Sequence, residues 1–308
     1  MNLADITPLI LTWNEEANIG RTLAGLTWAA RIVVVDSGST DGTAAVVARH
    51  PNAKLVVREF DNHTAQWNFG LDQVDTPWVL ALDADYLFPE SFVDELQRLA
   101  PSYNAYEAKF RYCIEGRPLR GTLYPARVVL FRTCRFRYRQ DGHTQLLDVN
   151  EQSGRLKTAI LHDDRKPLSR WLAAQSKYAD LEVKKLLVAP PTELGWKDRL
   201  RKLILFAAPL TFAYCLLYKR LIFDGWTGIY YTLQRTYAEF LLSLKLLDAK
   251  LTRRTDQSAA RSRQVEEQCR PAGGDTVADG GRQMGPCAKV ASETPSTFEL
   301  APSAERRV

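Results

Sequence analysis

The chain has 308 residues, 45% of them hydrophobic and 25% charged, a balance that supports a sizeable apolar core and excludes disorder of the chain as a whole. Its net charge of +5 permits a phosphate-bearing substrate or an acidic lipid surface as partner, and no nucleic-acid partner is expected. Five cysteines, Cys113, Cys134, Cys215, Cys269 and Cys287, stand far apart with no CxxC pair, which argues against a zinc site or a disulfide framework and suits a reducing cytosol.

The opening residues MNLADITPLILTWNEE lack the basic start, long apolar run and small-residue cleavage site of a secretory signal. From residue 7 to about 100, short β-branched runs alternate with helical stretches: TPLILT, Ile19 to Ala29, RIVVVDS, Thr43 to Arg49, KLVVRE, Thr64 to Val74, and WVLALDAD. That order predicts an α/β fold, a mainly parallel sheet with helices on both faces, whose chemistry collects at the carboxyl ends of the strands. Those ends are polar or acidic, as in Asp36-Ser37-Gly38 and Asp83-Ala84-Asp85. Between about 105 and 162, shorter pieces (YEAKFRYCI, ARVVLFR, FRYR) read as strands extending the sheet on an acceptor side. Leu168 to Val188 reads as one amphipathic helix with Trp171, Leu172, Tyr178, Leu181 and Leu186 near one side, ended by Pro190-Pro191. An uncharged run, Leu203 to Tyr218, and a helical stretch, Thr227 to Lys250, follow. Beyond about Arg254 the composition turns to Gly, Pro, Ser and Gln without periodicity, which predicts disorder. The expected organisation is a catalytic domain over 1–165, a helical and membrane-interfacial region over 166–252, and a disordered tail over 253–308.

Asp36 directly follows an apolar strand and is placed to accept a proton from a base or a ribose, with Gly38 and Gly42 letting the backbone turn around it. An Asp-Ser-Gly turn that merely caps the next helix is the bland alternative. Asp83 and Asp85 are two apart at a strand end, so in extended backbone both carboxylates face the same way and can share one cation. Oxygen ligands select Mg²⁺ or Mn²⁺, ions that neutralise a departing diphosphate. Neither a GxxxxGK[ST] loop nor a GxGxxG after the first strand is present; that strand runs into Trp13-Asn14-Glu15-Glu16, an acidic loop suited to base and ribose rather than to pyrophosphate.

The runs LILTWNEEANIGRTL, VVVDSGSTDGT and WVLALDADY together resemble the family 2 inverting glycosyltransferases of GT-A fold, and are similar to the branch of lipopolysaccharide-core β-glucosyltransferases. The resemblance spans roughly residues 5 to 250. It implies that Thr12, Asn14 and Glu15 or Glu16 line a nucleoside pocket, that Asp36 meets uracil, that Asp83 and Asp85 form the DxD metal site, and that Asn68 and Gly70 of QWNFG flank the nucleotide. It also implies a UDP-sugar donor, a lipid-linked glycan acceptor and a site on the cytoplasmic face of the inner membrane.

An inverting transfer needs a general base for the acceptor hydroxyl, and RQDGHTQLL offers Asp141, with His143 helping to position the acceptor or approach the metal. The branch's acid is not kept here: His143 is followed by Thr144 and Gln145. Because of that departure, a catalytically silent nucleotide-sugar-binding scaffold stands as the alternative to an enzyme. His162 could fold over the diphosphate, while Asp163 and Asp164 read as caps for the helix after Pro167; Arg127 could hold a phosphate or serve as a surface strand arginine. As one helix, Leu203 to Tyr218 would be about 24 Å long, short of a hydrocarbon core of about 30 Å. With Pro209 inside it and Lys184, Lys185, Lys197, Arg199, Arg201, Lys202, Lys219 and Arg220 around it, an interfacial or re-entrant attachment to anionic lipid is expected, with a core helix in a dimer interface as the alternative.

Overall fold

The computed structural model describes residues 1–141 and 144–268, with the side chains of 141, 144, 145, 256, 257 and 265–268 outside that description. Met1–Gln257 form one compact unit. The first half alternates as the sequence predicts: β1 (Ile6–Thr12), α1 (Ile19–Ala24), β2 (Ile32–Asp36), α2 (Thr43–Val47), β3 (Ala53–Val57), α3 (His63–Leu71) and β4 (Trp78–Asp83). Short elements follow: β5 (Tyr86–Leu87), α4 (Glu90–Arg98), β6 (Ala105–Ala108), β7 (Phe110–Ile114), β8 (Arg117–Pro118), β9 (Arg127–Arg132), β10 (Tyr138–Asp141), β11 (Thr144–Leu147), β12 (Gly154–Arg155) and β13 (Ile160–His162).

Seven strands form the main sheet in the order β12-β6-β9-β4-β1-β2-β3. β4, β1, β2 and β3 run parallel, each joined through a helix, whereas β9 is antiparallel to both β4 and β6. The sheet is mainly parallel, as expected, with β9 its one reversed strand. No helix separates β6 from β9, so no crossover returns the chain in the parallel sense. β1 and β4 are buried along nearly their whole length, as strands covered on both faces should be. On one face Ile10, Val34 and Leu80 pack with Ile19, Leu23, Val47, Phe92 and Leu96 of α1, α2 and α4. On the other, Leu9, Val33 and Val35 pack with Trp67 and Leu71 of α3. Gly70 permits that second contact: a Cβ there would lie 2.7 Å from Leu9 Cδ1. A smaller sheet, β5-β13-β7-β8, stands at the carboxyl end of β4.

The C-terminal part is helical: α5 (Leu168–Val188), α6 (Trp196–Lys202), α7 (Ala207–Ala213), a π-helical turn over Tyr214–Tyr218, and α8 (Gly225–Gln268). α5 has the expected bounds, but its buried face is Ala179, Val183 and Leu186, set against Leu242 and Leu246 of α8, and Tyr178 and Leu181 are exposed. The uncharged run is not one helix. Ile204 takes a left-handed φ of 63° after α6, and Pro209 then sits in the first turn of α7, where its missing N–H costs nothing. Among the described residues no helix is long and apolar enough to cross a membrane. α8 also continues past the boundary expected at 252, to Gln268. Residues 254–268 contain neither Gly nor Pro and are rich in Ala, Arg, Gln and Glu, so local propensity sustains the helix where hydrophobic periodicity has ended. The remainder of the predicted tail, 269–308, lies outside the described residues.

Candidate active site

Register brings three strand ends together: Thr12 pairs with Asp36 across β1 and β2, and Leu11 pairs with Asp83 across β1 and β4. Asp83 is half-buried and accepts a hydrogen bond of 2.6 Å from the Tyr86 hydroxyl, with Tyr124 O–H at 3.5 Å from the same oxygen. Burial, reinforced by the Asp83 charge, raises the Tyr86 phenol well above its ordinary value, so it stays protonated and able to donate. Arg127 lies 4.8 Å over the Tyr124 ring at the rim of this cluster, exposed at the start of β9.

Asp85 is only 7% exposed. Its Oδ2 lies 3.1 Å from His162 Nε2, while Oδ1 is buried with no partner. The turn is held from two sides: Thr22 Oγ1 donates to the Ala84 carbonyl at 2.6 Å, and Asp163 N–H donates to the Asp85 carbonyl at 3.1 Å. Burial would raise the Asp85 carboxyl, but the charge and hydrogen bond of His162, with Lys166 beyond it, hold it below the usual carboxylate range. His162 is lowered by burial and raised by Asp85, and the net shift is upward. His162 thus orients a carboxylate, a task that its separation of 77 residues from Asp85 concealed in the sequence.

The loop after β1 is cross-tied to the loop after β2. Asn14 adopts a left-handed φ of 53°, a conformation that Asn tolerates. Its N–H donates to Ser39 Oγ at 2.7 Å, and its Oδ1 accepts from Thr40 N–H at 2.7 Å. Glu16 accepts from Gly42 N–H at 3.0 Å. Asp36 is buried and accepts from Ser39 N–H at 2.9 Å, so its carboxylate braces its own turn; Gly38, at φ 82°, makes that turn. Thr12 Oγ1 is buried with no partner.

Glu15 faces the other way, ion-paired through Oε1 with Lys166 and accepting from Asn18 Nδ2 at 2.8 Å. Burial pushes its carboxyl up to about 7 against the pull of Lys166. Lys166 is lowered by burial but raised more by Glu15, Asp164 and Asp85, so the lysine's proton is the firmer of the two. Asp163 and Asp164 are not helix caps: Pro167 precedes α5 with no side-chain cap. Instead Asp163, its side chain 1% exposed, bonds Arg21 at 2.6 Å, Arg165 at 2.9 Å and the Gly116 N–H at 3.1 Å. Asn68, expected beside the nucleotide, bonds the backbone of Tyr138. Its Nδ2 donates to the Tyr138 carbonyl and its Oδ1 accepts from Tyr138 N–H, both at 2.9 Å, tying α3 to the β10–β11 hairpin. Asp141 ends β10, paired in register with Thr144; its side chain, and His143 entirely, lie outside the described residues.

Two of the expected clusters therefore form, Asp83 with Asp85 and the β1–β2 loops around Thr12 and Asp36. Tyr86, Tyr124 and Lys166 were missed. Tyr86 had a signal, standing next to Asp85 in the DADY run; Tyr124 and Lys166 had none, because they arrive from distant elements.

Residues 9–153 match the model of the glycosyl transferase family 2. Over 221 residues, 67% of this chain and 78% of the relative, the sequence is 28% identical to a lipopolysaccharide core biosynthesis glycosyltransferase, LpsC, of Rhizobium meliloti. An uncharacterised glycosyltransferase of Rickettsia typhi is 31% identical over 117 residues, 36% of this chain and 40% of that relative. Among solved structures, the mannosyltransferase PcManGT of Pyrobaculum calidifontis aligns with a TM-score of 0.49 at 17% identity, over 79% of this chain and 87% of its own. Residues 9–153, which carry the β1–β4 half of the sheet and the paired carboxylates, are the part of the chain that matches glycosyltransferase family 2.

Proposed function

We propose that the chain transfers a sugar, with glucose the first to test, from a UDP-sugar to a lipid-linked glycan such as a lipopolysaccharide core. The observation that carries this is the paired carboxylate at the end of β4: Asp83 and Asp85 each commit one oxygen to a protein partner and leave Oδ1 open, one of these fully buried. A buried carboxylate oxygen without a partner is costly unless something binds it, and a hard divalent cation fits oxygen donors of this kind. Among the described residues no three His, Cys, Asp or Glu side chains form a complete cage. Two carboxylates would then share the ion with a diphosphate, the manner in which Mg²⁺ and Mn²⁺ sit on nucleotide substrates. Bound there, the cation would offset charge developing on the leaving diphosphate.

The chain's own groups divide the remaining work. Tyr86 and His162 fix the two carboxylates, and Arg127 at the rim supplies a guanidinium for a phosphate. Thr12 and the braced Asp36 turn offer oxygens to the nucleoside at the β1–β2 ends, the crevice where open α/β sheets bind ligands. Asp141, on the hairpin that Asn68 holds, is the proposed base. The likeness to LpsC supports a lipopolysaccharide-core acceptor. A lipid-borne acceptor also suits the outer side of α8. There Trp226, Tyr230, Leu233, Tyr237, Phe240, Leu244, Leu247 and Leu251 are all exposed at alternating spacings of four and three, opposite the face carrying Tyr231, Leu242 and Leu246. Leu203, Leu205, Phe206, Leu217 and Phe223 are exposed beside five basic residues and no acidic one between 199 and 223. Arg201 is paired with Glu182, Asp198 and Glu239, but Arg199, Lys202, Lys219 and Arg220 beside the apolar anchors suit an anionic lipid surface.

The test is transfer of labelled glucose from UDP-glucose to rough lipopolysaccharide in Mn²⁺ buffer. Wild type should label the lipid, and Asp141→Asn should lower kcat by about 10²-fold or more while the KM for UDP-glucose stays put. An Asp141→Asn variant of full activity would remove Asp141 as the base.

A further inference from the structure

One continuous segment, His162 to Arg170, meets both halves of the donor site. His162 orients Asp85 just beyond the end of β4. The residues after it close on the loop that leaves β1: Asp164 Oδ1 accepts from Asn18 Nδ2 at 3.1 Å, Lys166 pairs with Glu15, and Arg170, in the first turn of α5, reaches Trp13 and Asn14. Lys166 and Asp164 thus hold the far end of that loop, and Arg170 holds its start beside Thr12.

Arg170 Nη1 donates to the Asn14 carbonyl at 2.6 Å and Nη2 to the Trp13 carbonyl at 2.8 Å, with the guanidinium carbon 5.1 Å from the centre of the Trp13 ring. The rigid fork of a guanidinium suits two acceptors side by side, and its charge strengthens both bonds. Asn14 holds a left-handed φ of 53°, a conformation that residues other than glycine mostly leave unless their surroundings fix it. The same residue carries the ties to Ser39 and Thr40, on the turn that Asp36 braces. Were Asn14 to relax, the loops after β1 and β2 would lose their cross-tie where the nucleoside is to lie. Docking of α5 does not depend on these two bonds: Asp163 joins the preceding segment to Arg21, and Val183 and Leu186 pack with Leu242 and Leu246 of α8. Both bonds of Arg170 end on main-chain carbonyls, so its effect on the donor passes through the loop.

We propose that Arg170 is a positioning residue for donor binding: by bridging the Trp13 and Asn14 carbonyls it holds the loop after β1 in the shape that receives the nucleoside. The assignment rests on the reading of the β1–β2 ends as the nucleoside site given above. It makes the first turn of α5, outside the 9–153 stretch, part of what shapes the donor pocket.

The experiment is calorimetric titration of UDP into the full chain in Mn²⁺ buffer, for wild type, Arg170→Lys and Arg170→Met, with thermal unfolding on the same preparations. Arg170→Met keeps an apolar stem and removes both bonds, and should raise the Kd for UDP about tenfold or more at full stoichiometry. Arg170→Lys keeps the charge without the fork and should fall between the two. All three proteins should melt together. A merely structural arginine gives another pattern, in which fewer molecules bind, the Kd of those that do is unchanged, and the melting temperature falls; that result would overturn the proposal. Equal Kd and stoichiometry in all three proteins would overturn it as well. Absence of UDP binding by wild type would strike the nucleotide reading itself, and this inference with it, so the two failures are told apart by the wild-type titration.

Discussion

Tyr86 shows how much of the site depends on a single hydroxyl. It reaches Asp83 Oδ2 at 2.6 Å and Tyr124 at 2.7 Å, buried throughout, and thereby fixes one Asp83 oxygen. Groups that orient metal-binding carboxylates typically change affinity by about 10–100-fold when removed. Tyr86→Phe should therefore weaken Mn²⁺-dependent nucleotide binding by about that factor while the melting temperature shifts little, measured by calorimetry and thermal unfolding on the same preparation. Unchanged affinity would mean that Asp83 needs no orientation. His162 makes the same point for Asp85, and it also marks where sequence reading reached its limit. The DxD pair was legible as two acidic residues at a strand end, although the shared extended face expected for them is absent: β4 stops at Asp83 and Asp85 lies in the following turn. The role of His162 was not legible, because β13 meets β5 through a sheet pairing, His162 opposite Tyr86.

At the level of elements, the β-α-β half was readable because each strand is a short β-branched run ending in polar residues, and α5 because Pro190-Pro191 stops it. The turn into the antiparallel β9 was not, since strand direction depends on crossovers and not on periodicity. The broken 203–218 segment went unread for a related reason: an uncharged run gives no period to follow, and the break rests on one left-handed residue, Ile204. Asp163 joins three of these elements, α1 through Arg21, the β7–β8 turn through Gly116, and the 163–166 segment through Arg165. Burial would raise its carboxyl, but the hydrogen bonds of Arg165, Gly116 and Arg21 outweigh it and hold it below its ordinary 3.8. A depressed carboxyl stabilises the fold fully above that ordinary value, and the stabilisation is lost as pH falls through the folded one. Wild-type stability in urea should accordingly drop steeply below about pH 4. Asp163→Asn should be about 2–4 kcal/mol less stable at neutral pH and flatter in acid. Equal acid slopes for the two proteins would show that Asp163 is not depressed.

For the molecule as a whole, the outer stripe of α8 and the 203–223 segment expose more than a dozen large apolar side chains, a pattern that marks an interaction surface where it forms one patch. Wild type should co-sediment with vesicles containing phosphatidylglycerol, more weakly at high salt, and less with phosphatidylcholine alone. Replacing Leu233, Phe240 and Leu244 by Ser should lower that partition on the order of 100-fold or more, since each buried side chain contributes about 1.5–3 kcal/mol. Co-sedimentation unchanged by those substitutions would assign the stripe to another partner. The central claim, a nucleotide sugar held through a cation on Asp83 and Asp85, is tested most directly by calorimetric titration of UDP-glucose with and without Mn²⁺. Wild type and Asp85→Asn are compared, the latter keeping a hydrogen-bonding group beside His162 while losing the charge. We expect binding by wild type only with Mn²⁺ and none by the variant; equal binding by both proteins, or binding indifferent to Mn²⁺, would contradict it.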